Sequence, residues 1–337
     1  MEHDIQYCTT GDGGSIAYYT LGEGEPLVVT STVLWSHLQL PPFAEYHPTD
    51  NPEGLGCGLE IVRYDARGTG LSGRDSLDFS LDARVRDLEA VVERLKLKRF
   101  AILGPLHGGP AAIAYAVRHP ERVSHLILLG SYARGSDNRH AFRHFDSWVE
   151  RAHEHWTTYT LTIANSNTFF TDSERGRKLA ALYRESMTPD SVRAFLESQI
   201  TIDVTALLPL VAAPTLVMQV ALPSNMPQLE WSRELASAIP DAHFVTIASH
   251  RWTEEETRVV EDFLGVGQPH ASGTAGLTAR EMEVLRLIVV GKSSREIATA
   301  LILSPRTVER HVANIYRKTD THGRAQLTGF ALRRSLV

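Results

Sequence analysis

Cysteine is scarce in this chain: Cys8 and Cys57 are the only two in 337 residues, which argues against a disulfide framework and suits a reducing compartment. Long apolar runs are missing as well, none approaching the ~18 residues that span a bilayer. The opening residues Met1-Glu2-His3-Asp4 carry neither the basic start nor the apolar stretch of a secretory signal. These absences set the expectation of a cytoplasmic protein with no membrane partner. What is present is ordinary for a globular chain, 43% hydrophobic and 22% charged residues, at a length that accommodates one large and one small domain. Positive charge is short overall, the net being −6, yet residues 271–337 hold 11 Lys/Arg against 5 Asp/Glu, which leaves −12 for residues 1–270. A basic tail on an acidic body points to a polyanion as the tail's partner, or to docking of the tail on the body.

Apolar patterning divides the first 265 residues into alternating strands and helices. Residues 5–9 and 15–19 flank the turn Gly11-Asp12-Gly13-Gly14 as a hairpin. Strands are expected at 26–30, 59–64, 123–129, 214–220 and 242–247, and a helix at 81–97 with Val85, Leu88, Val91, Val92 and Leu95 on one stripe. Such alternation predicts an α/β fold with a mostly parallel sheet covered on both faces. Residues 132–205 form a helical insertion rich in aromatics: Phe142, Phe145, Trp148, Trp156, Tyr159, Phe169 and Phe170.

The stretch that organises this domain is Phe100-Ala101-Ile102-Leu103-Gly104-Pro105-Leu106-His107-Gly108-Gly109, running into an Ala-rich helix. An apolar run, a glycine-bounded turn and a helix in succession are the context of the G-x-S-x-G nucleophile elbow, with Gly104 and Gly108 where backbones approach closely. Leu106 stands where the serine would be. Leucine has no proton to lose and no lone pair with which to attack.

With Tyr64-Asp65-Ala66-Arg67-Gly68-Thr69-Gly70-Leu71-Ser72, the elbow, His119-Pro120-Glu121-Arg122-Val123 and Pro214-Thr215-Leu216-Val217 in that order, residues 1–265 resemble an α/β-hydrolase. The resemblance implies an α/β-hydrolase fold with the insertion as its lid, and a scaffold role for the Asp65 and Arg67 loop. It implies triad positions too, which here read Leu106, Pro223 and His250. An imidazole without nucleophile or orienting carboxylate cannot run acyl transfer by this route. The oxyanion segment reads Ser31-Thr32-Val33-Leu34-Trp35 in place of the family's His-Gly, leaving the backbone N–H groups of Val33 and His107 as donors for a ligand. Relocated chemistry would have to draw on His107, Ser31, Ser36 or Asp137. An aliphatic elbow tip predicts a pocket for a small, mostly apolar ligand, lined by Val33, Leu34, Trp35, Leu106, His107, Trp148, Trp156, Tyr159 and His250. Neither His140 with His144 nor His153 with His155 completes a zinc pattern, so no metal and no cofactor are expected.

Residues 266–276 are Gly-rich and aperiodic, a linker. Beyond it lie two capping boxes, Thr278-Ala279-Arg280-Glu281 and Ser293-Ser294-Arg295-Glu296, and an N-cap with proline at the first helical position, Ser304-Pro305. Gly291 closes the first helix, and further helices are expected at 306–318 and 324–334. Four short helices with a basic third suit a helix-turn-helix. The set Leu277-Thr278-Ala279-Arg280-Glu281, Val284-Leu285, Gly291-Lys292-Ser293, Glu296-Ile297-Ala298, Ser304-Pro305-Arg306-Thr307-Val308, His311 and Lys318 resembles the LuxR-type DNA-binding domain over 277–337. By that resemblance Val308, His311 and Ile315 pack, while Glu309, Arg310 and Ala313 face bases. Lys292, Ser294, Thr307, Arg317 and Lys318 meet phosphates, and Arg306, next to Thr307 on the third helix, is among the DNA-binding residues. Thr319-Asp320-Thr321 replaces the family's Leu-Gly-Val, a change expected to weaken packing of the last helix.

The combined expectation is a ligand-responsive transcription regulator: a catalytically dead hydrolase-fold domain senses a small molecule, and a helix-turn-helix dimer binds DNA. Its expected partners are double-stranded DNA, a small-molecule ligand, a second copy of the chain and RNA polymerase. The rival reading is an active hydrolase or lyase with a non-standard catalytic set that carries a DNA-binding module.

Overall fold

The computed structural model describes residues 3–34, 36–39, 58–137, 154–167, 172–220, 226–247, 254–266, 279–301, 303–319 and 321–333. Trp35, Cys57, Phe142, Phe145, Trp148, Phe169, Phe170, Pro223 and His250 lie outside those residues, as do His140, His144, His153, Thr278, Asp320 and linker residues 267–276. The chain forms two compact units, Met1–Val266 and Gly267–Val337. No helix among the described residues is long and apolar enough to cross a membrane.

In the large unit eight strands make one sheet: β1 (Gln6–Thr9), β2 (Ser15–Leu21), β3 (Gly24–Val29), β4 (Gly58–Tyr64), β5 (Phe100–Pro105), β6 (Val123–Leu129), β7 (Thr215–Val220) and β8 (His243–Ile247). Their order across the sheet is β1-β2-β4-β3-β5-β6-β7-β8, antiparallel where β2 meets its two neighbours and parallel from β4 onward. The central strands are continuous apolar runs because both faces are covered; all six residues of β5 are buried. One face holds α1 (Leu81–Arg94) and α2 (Gly109–Arg118), with Val85, Leu88, Ile102, Ala112 and Leu128 in a single core. The other packs Leu103, Ile127 and Met218 against α7 (Glu254–Leu264) through Val260 and Leu264.

Helix α1 stops at Arg94, three residues short of the expected 97. Lys96 turns left-handed at φ +55°, and the N–H of Leu97 caps back onto the carbonyl of Val92. Leu97 still packs on the core, so the apolar period outruns the helix. Between β6 and β7 stand α3 (Trp156–Asn167), α4 (Ser173–Ser186) and α5 (Pro189–Gln199), and α6 (Met226–Ala238) follows β7. Thr188 caps α5, its hydroxyl accepting from the N–H of Ser191 at 3.2 Å, with Pro189 in the first turn.

The small unit is all helix: α8 (Ala279–Val289), α9 (Ser294–Leu301), α10 (Pro305–Thr319) and α11 (Arg324–Arg333), around Val284, Leu285, Ile288, Ile297, Val308, Ile315 and Leu327. The second capping box is fully formed: Ser293 N–H donates to Glu296 Oε2 at 2.8 Å and Glu296 N–H to Ser293 Oγ at 3.3 Å. Gly291, at φ +83°, ends α8 with the N–H of Lys292 on the carbonyl of Leu287. Thr319 and Thr321, at positions where the family carries apolar residues, are both buried, and the Thr321 hydroxyl donates to Thr319 Oγ1 at 2.9 Å. Thr319 also donates to the carbonyl of Ile315 at 2.8 Å, so the polar pair brings its own partners into the corner.

Candidate functional site

β5, one 3-10 turn (Leu106–Gly108) and α2 build the elbow. Leu106 occupies its apex at φ +45°, a left-handed conformation that a side chain makes costly. The glycines allow the close approach. A β-carbon on Gly104 would lie 2.9 Å from Ala112 Cβ, and one on Gly108 would collide with Thr30 Oγ1. Leu106 is half-buried, and its Cδ2 sits 3.2 Å from where a β-carbon on Gly130, just past β6, would be. This backbone presents a nucleophile in the family, but here it presents a branched alkyl group.

His107, the next residue, is buried and linked to the lid. Its Nδ1 lies 2.7 Å from the hydroxyl of Tyr132, which donates onward to Gln199 Oε1 at 2.6 Å. Because the phenol proton goes to Gln199, the phenol oxygen accepts and His107 carries its proton on Nδ1. Burial, reinforced by the Arg84 guanidinium, pushes the His107 imidazolium down to about 3, so the ring is neutral at physiological pH. Its ring packs edge-on against Phe195 at 5.1 Å between centroids. Val192, Phe195 and Gln199 share the buried face of α5 at helical spacing, so one lid helix closes on the elbow by an apolar and a polar contact together.

Four of the expected pocket residues come together. Val33 and Tyr159 belong to one apolar cluster with Phe79, Met187 and Phe195, and Leu34 and Trp156 pack against it. Val33 is fully buried at φ +66°, an uncommon conformation for a β-branched residue. One expectation is corrected here. The Val33 N–H donates to Ser31 Oγ at 3.2 Å, so this donor is engaged within its own loop.

The residues that relocated chemistry would need are also engaged. Ser31 Oγ accepts from Ala66 N–H at 3.2 Å, Ser36 Oγ donates to Asp65 Oδ1 at 2.6 Å, and Asp137 binds Arg134 Nε at 3.0 Å. Asp65 gathers the N–H groups of Leu38 and Leu71 as well. Arg67 spans Asp87 and Asp12 at 2.8 Å each. Both behave as scaffold. Among the described residues no group of three metal-ligating side chains occurs.

In the small unit α10 is two-faced. Val308 and Ile315 are fully buried, whereas Arg306, Glu309, Arg310, Ala313 and Arg317 are exposed. Lys292, two residues before α9, is exposed too. Lys318, expected to meet a phosphate, sets its ammonium 2.6 Å from the buried carboxylate of Glu281, which ties α10 to α8. Ser294 Oγ accepts from Arg324 at 3.1 Å and Thr307 pairs with Ser304 at 2.8 Å, so both hydroxyls already serve helix starts.

Sequence reasoning missed Tyr132, Phe195, Gln199 and the pairing of Lys318 with Glu281. For Phe195 and Gln199 a signal existed, the Thr188-Pro189 start followed by apolar spacing; for Tyr132 none did.

Comparisons with known proteins follow the two units. A profile described as the alpha/beta hydrolase fold matches residues 29–205, and one for bacterial regulatory proteins of the luxR family matches 275–331. The cis-3-alkyl-4-alkyloxetan-2-one decarboxylase of Shewanella oneidensis is 30% identical over 128 residues, 36% of this chain and 37% of that protein. The transcriptional regulatory protein LiaR of Bacillus subtilis is 42% identical over 69 residues, 20% of this chain and 31% of LiaR. The chain thus spans about a third of each of these two relatives. A bromoperoxidase from Bacillus anthracis superposes with a TM-score of 0.63 at 17% identity, over 78% of this chain and 100% of that one, which speaks to fold alone. With the hydrolase profile covering more than half of its length, this chain belongs to the alpha/beta hydrolase fold family, and it carries at its C-terminal end a helix-turn-helix domain of the luxR family of bacterial regulatory proteins.

Proposed function

We propose that this transcription regulator uses its hydrolase-fold unit as a receptor: a small, mostly apolar molecule is bound there and not turned over, and its binding changes how a homodimer engages double-stranded DNA in the cytoplasm. The observation that carries the reading is Leu106 at the apex of an intact, strained elbow. The turn that displays a nucleophile is kept and the nucleophile is an alkyl group. Support comes from Ser31, Ser36, Asp137 and His107, each committed to a structural partner. On DNA, Arg310, Glu309 and Ala313 are the base readers and Arg306, Arg317 and Lys292 the phosphate contacts, with Lys318 mainly holding α10 to α8.

A ligand acts only if it binds the DNA-competent and incompetent states unequally, and coupling of this kind changes affinity by about 5- to 150-fold. The test is fluorescence anisotropy of the full chain on a duplex selected from random sequence, with and without compounds that raise its Tm. A hit that shifts DNA affinity, and whose effect disappears in Leu106→Trp, is the expected result. Hits that raise Tm and leave DNA affinity untouched overturn the sensor reading. On the same duplexes Arg310→Ala is expected to change the preferred bases at a cost of about 1–3 kcal/mol, and Arg317→Ala to weaken all sequences alike and flatten the salt dependence. Identical behaviour of the two variants contradicts the assignment of reader and anchor.

A further inference from the structure

Arg84 lies on the buried face of α1, one turn ahead of Leu88, and is 3% exposed. Its Nη2 donates to the backbone carbonyl of His107 in the elbow turn, and its Nη1 has no hydrogen-bond partner. Among the described residues no carboxylate pairs with it. Asp87, whose charge it feels, is bound to Arg67 at 2.8 Å, and Asp65 is held by Ser36, Leu38 and Leu71. A buried lysine sheds its proton when unpaired, but a guanidinium does not, so this charge stays and calls for an anion. The N-terminal end of α2, at the same turn, favours negative charge as well. His107 joins the charge to the apolar cluster: its carbonyl takes Arg84, and its ring packs on Phe195.

We infer that the molecule sensed by the hydrolase-fold unit is a monocarboxylic acid, its carboxylate compensating Arg84 and its apolar body lying among Leu106, Val33 and Phe195. The inference rests on the receptor reading above. One guanidinium carries one positive charge and matches a single negative one, and the field of Asp87 works against a phosphate dianion.

The experiment is a thermal shift of the full chain with benzoate, phenylacetate and hexanoate, each beside its primary amide, and with phenyl phosphate. At roughly tenfold excess over Kd the binding acid is expected to raise Tm by about 3–6 °C and its amide to leave it near the unliganded value. Arg84→Met is expected to abolish the acid's advantage while its own unliganded Tm stays at or above that of the wild type, because a lone buried charge is gone. A purely structural arginine predicts a lower Tm for that variant. Arg84→Lys, whose ammonium holds its proton once a carboxylate pairs with it, retains part of the acid preference. Amides that stabilise as well as acids, a preference for phenyl phosphate, an Arg84→Met protein that still prefers acids, or no stabilisation by any acid each overturns the inference. The receptor reading stands or falls separately, on whether any bound compound moves DNA affinity.

Discussion

The 337-residue chain is expected to hydrolyse p-nitrophenyl butyrate no faster than buffer does, and Leu106→Ser alone leaves it at least about 10⁴-fold below an intact triad. The first half follows from the alkyl group at the elbow, since nothing at position 106 attacks a carbonyl. The second follows from the resemblance that places Pro223 where the orienting acid belongs. A serine returned to the elbow would face a histidine with no carboxylate to set its tautomer, and that loss by itself is worth about 10⁴ in turnover. Pairing Leu106→Ser with Pro223→Asp is therefore expected to raise the rate over the single variant by about 10²- to 10⁴-fold, or roughly 3–5 kcal/mol of barrier. Steady-state kinetics on the wild type, Leu106→Ser, the double variant and His250→Ala decides the matter. Wild-type turnover that vanishes in His250→Ala would favour the enzyme reading.

The second large effect concerns acid. His107 is 5% exposed, and burial holds its imidazolium near 3, against 6.5 in the unfolded chain. Between those values the unfolded chain takes up a proton that the folded protein refuses, so stability is full above pH 6.5 and lost as pH falls toward 3. The loss is about 1.4 kcal/mol per pH unit, or roughly 2–3 kcal/mol at pH 4.5. All five tryptophans precede residue 267, so urea unfolding followed by tryptophan fluorescence reports on the large unit. His107→Asn, which retains a donor for Tyr132, is expected to lose about 2–3 kcal/mol less than wild type between pH 7 and 4.5. Asp12 and the other carboxylates titrate in both proteins and cancel. Parallel pH dependence contradicts a neutral, buried His107.

Features carried by local chemistry were legible in the sequence. The elbow, the Ser293–Glu296 capping box, the Ser304-Pro305 start and the Gly291 stop each depend on residues within four positions of one another, and each is present as read. Long-range pairings were not legible. Lys318 looked like a phosphate contact because nothing near it in sequence suggests a partner; Glu281, 37 positions away, supplies one. The chain from His107 through Tyr132 to Gln199 joins residues 25 and 67 positions apart, and only the fold brings them into line. Arg84 lies between the two cases. An arginine one turn from Leu88, beside Asp87 on a face whose other buried residues are apolar, is a visible anomaly, but its lack of a carboxylate partner is not.

Treatment of the full chain with a fluorophosphonate probe, read by intact-protein mass, bears most directly on the claim that the hydrolase-fold unit receives its ligand without attacking it. The account predicts an unchanged mass, with Leu106 offering no oxygen to the phosphorus. A gain of one probe mass that is lost in His250→Ala would contradict it.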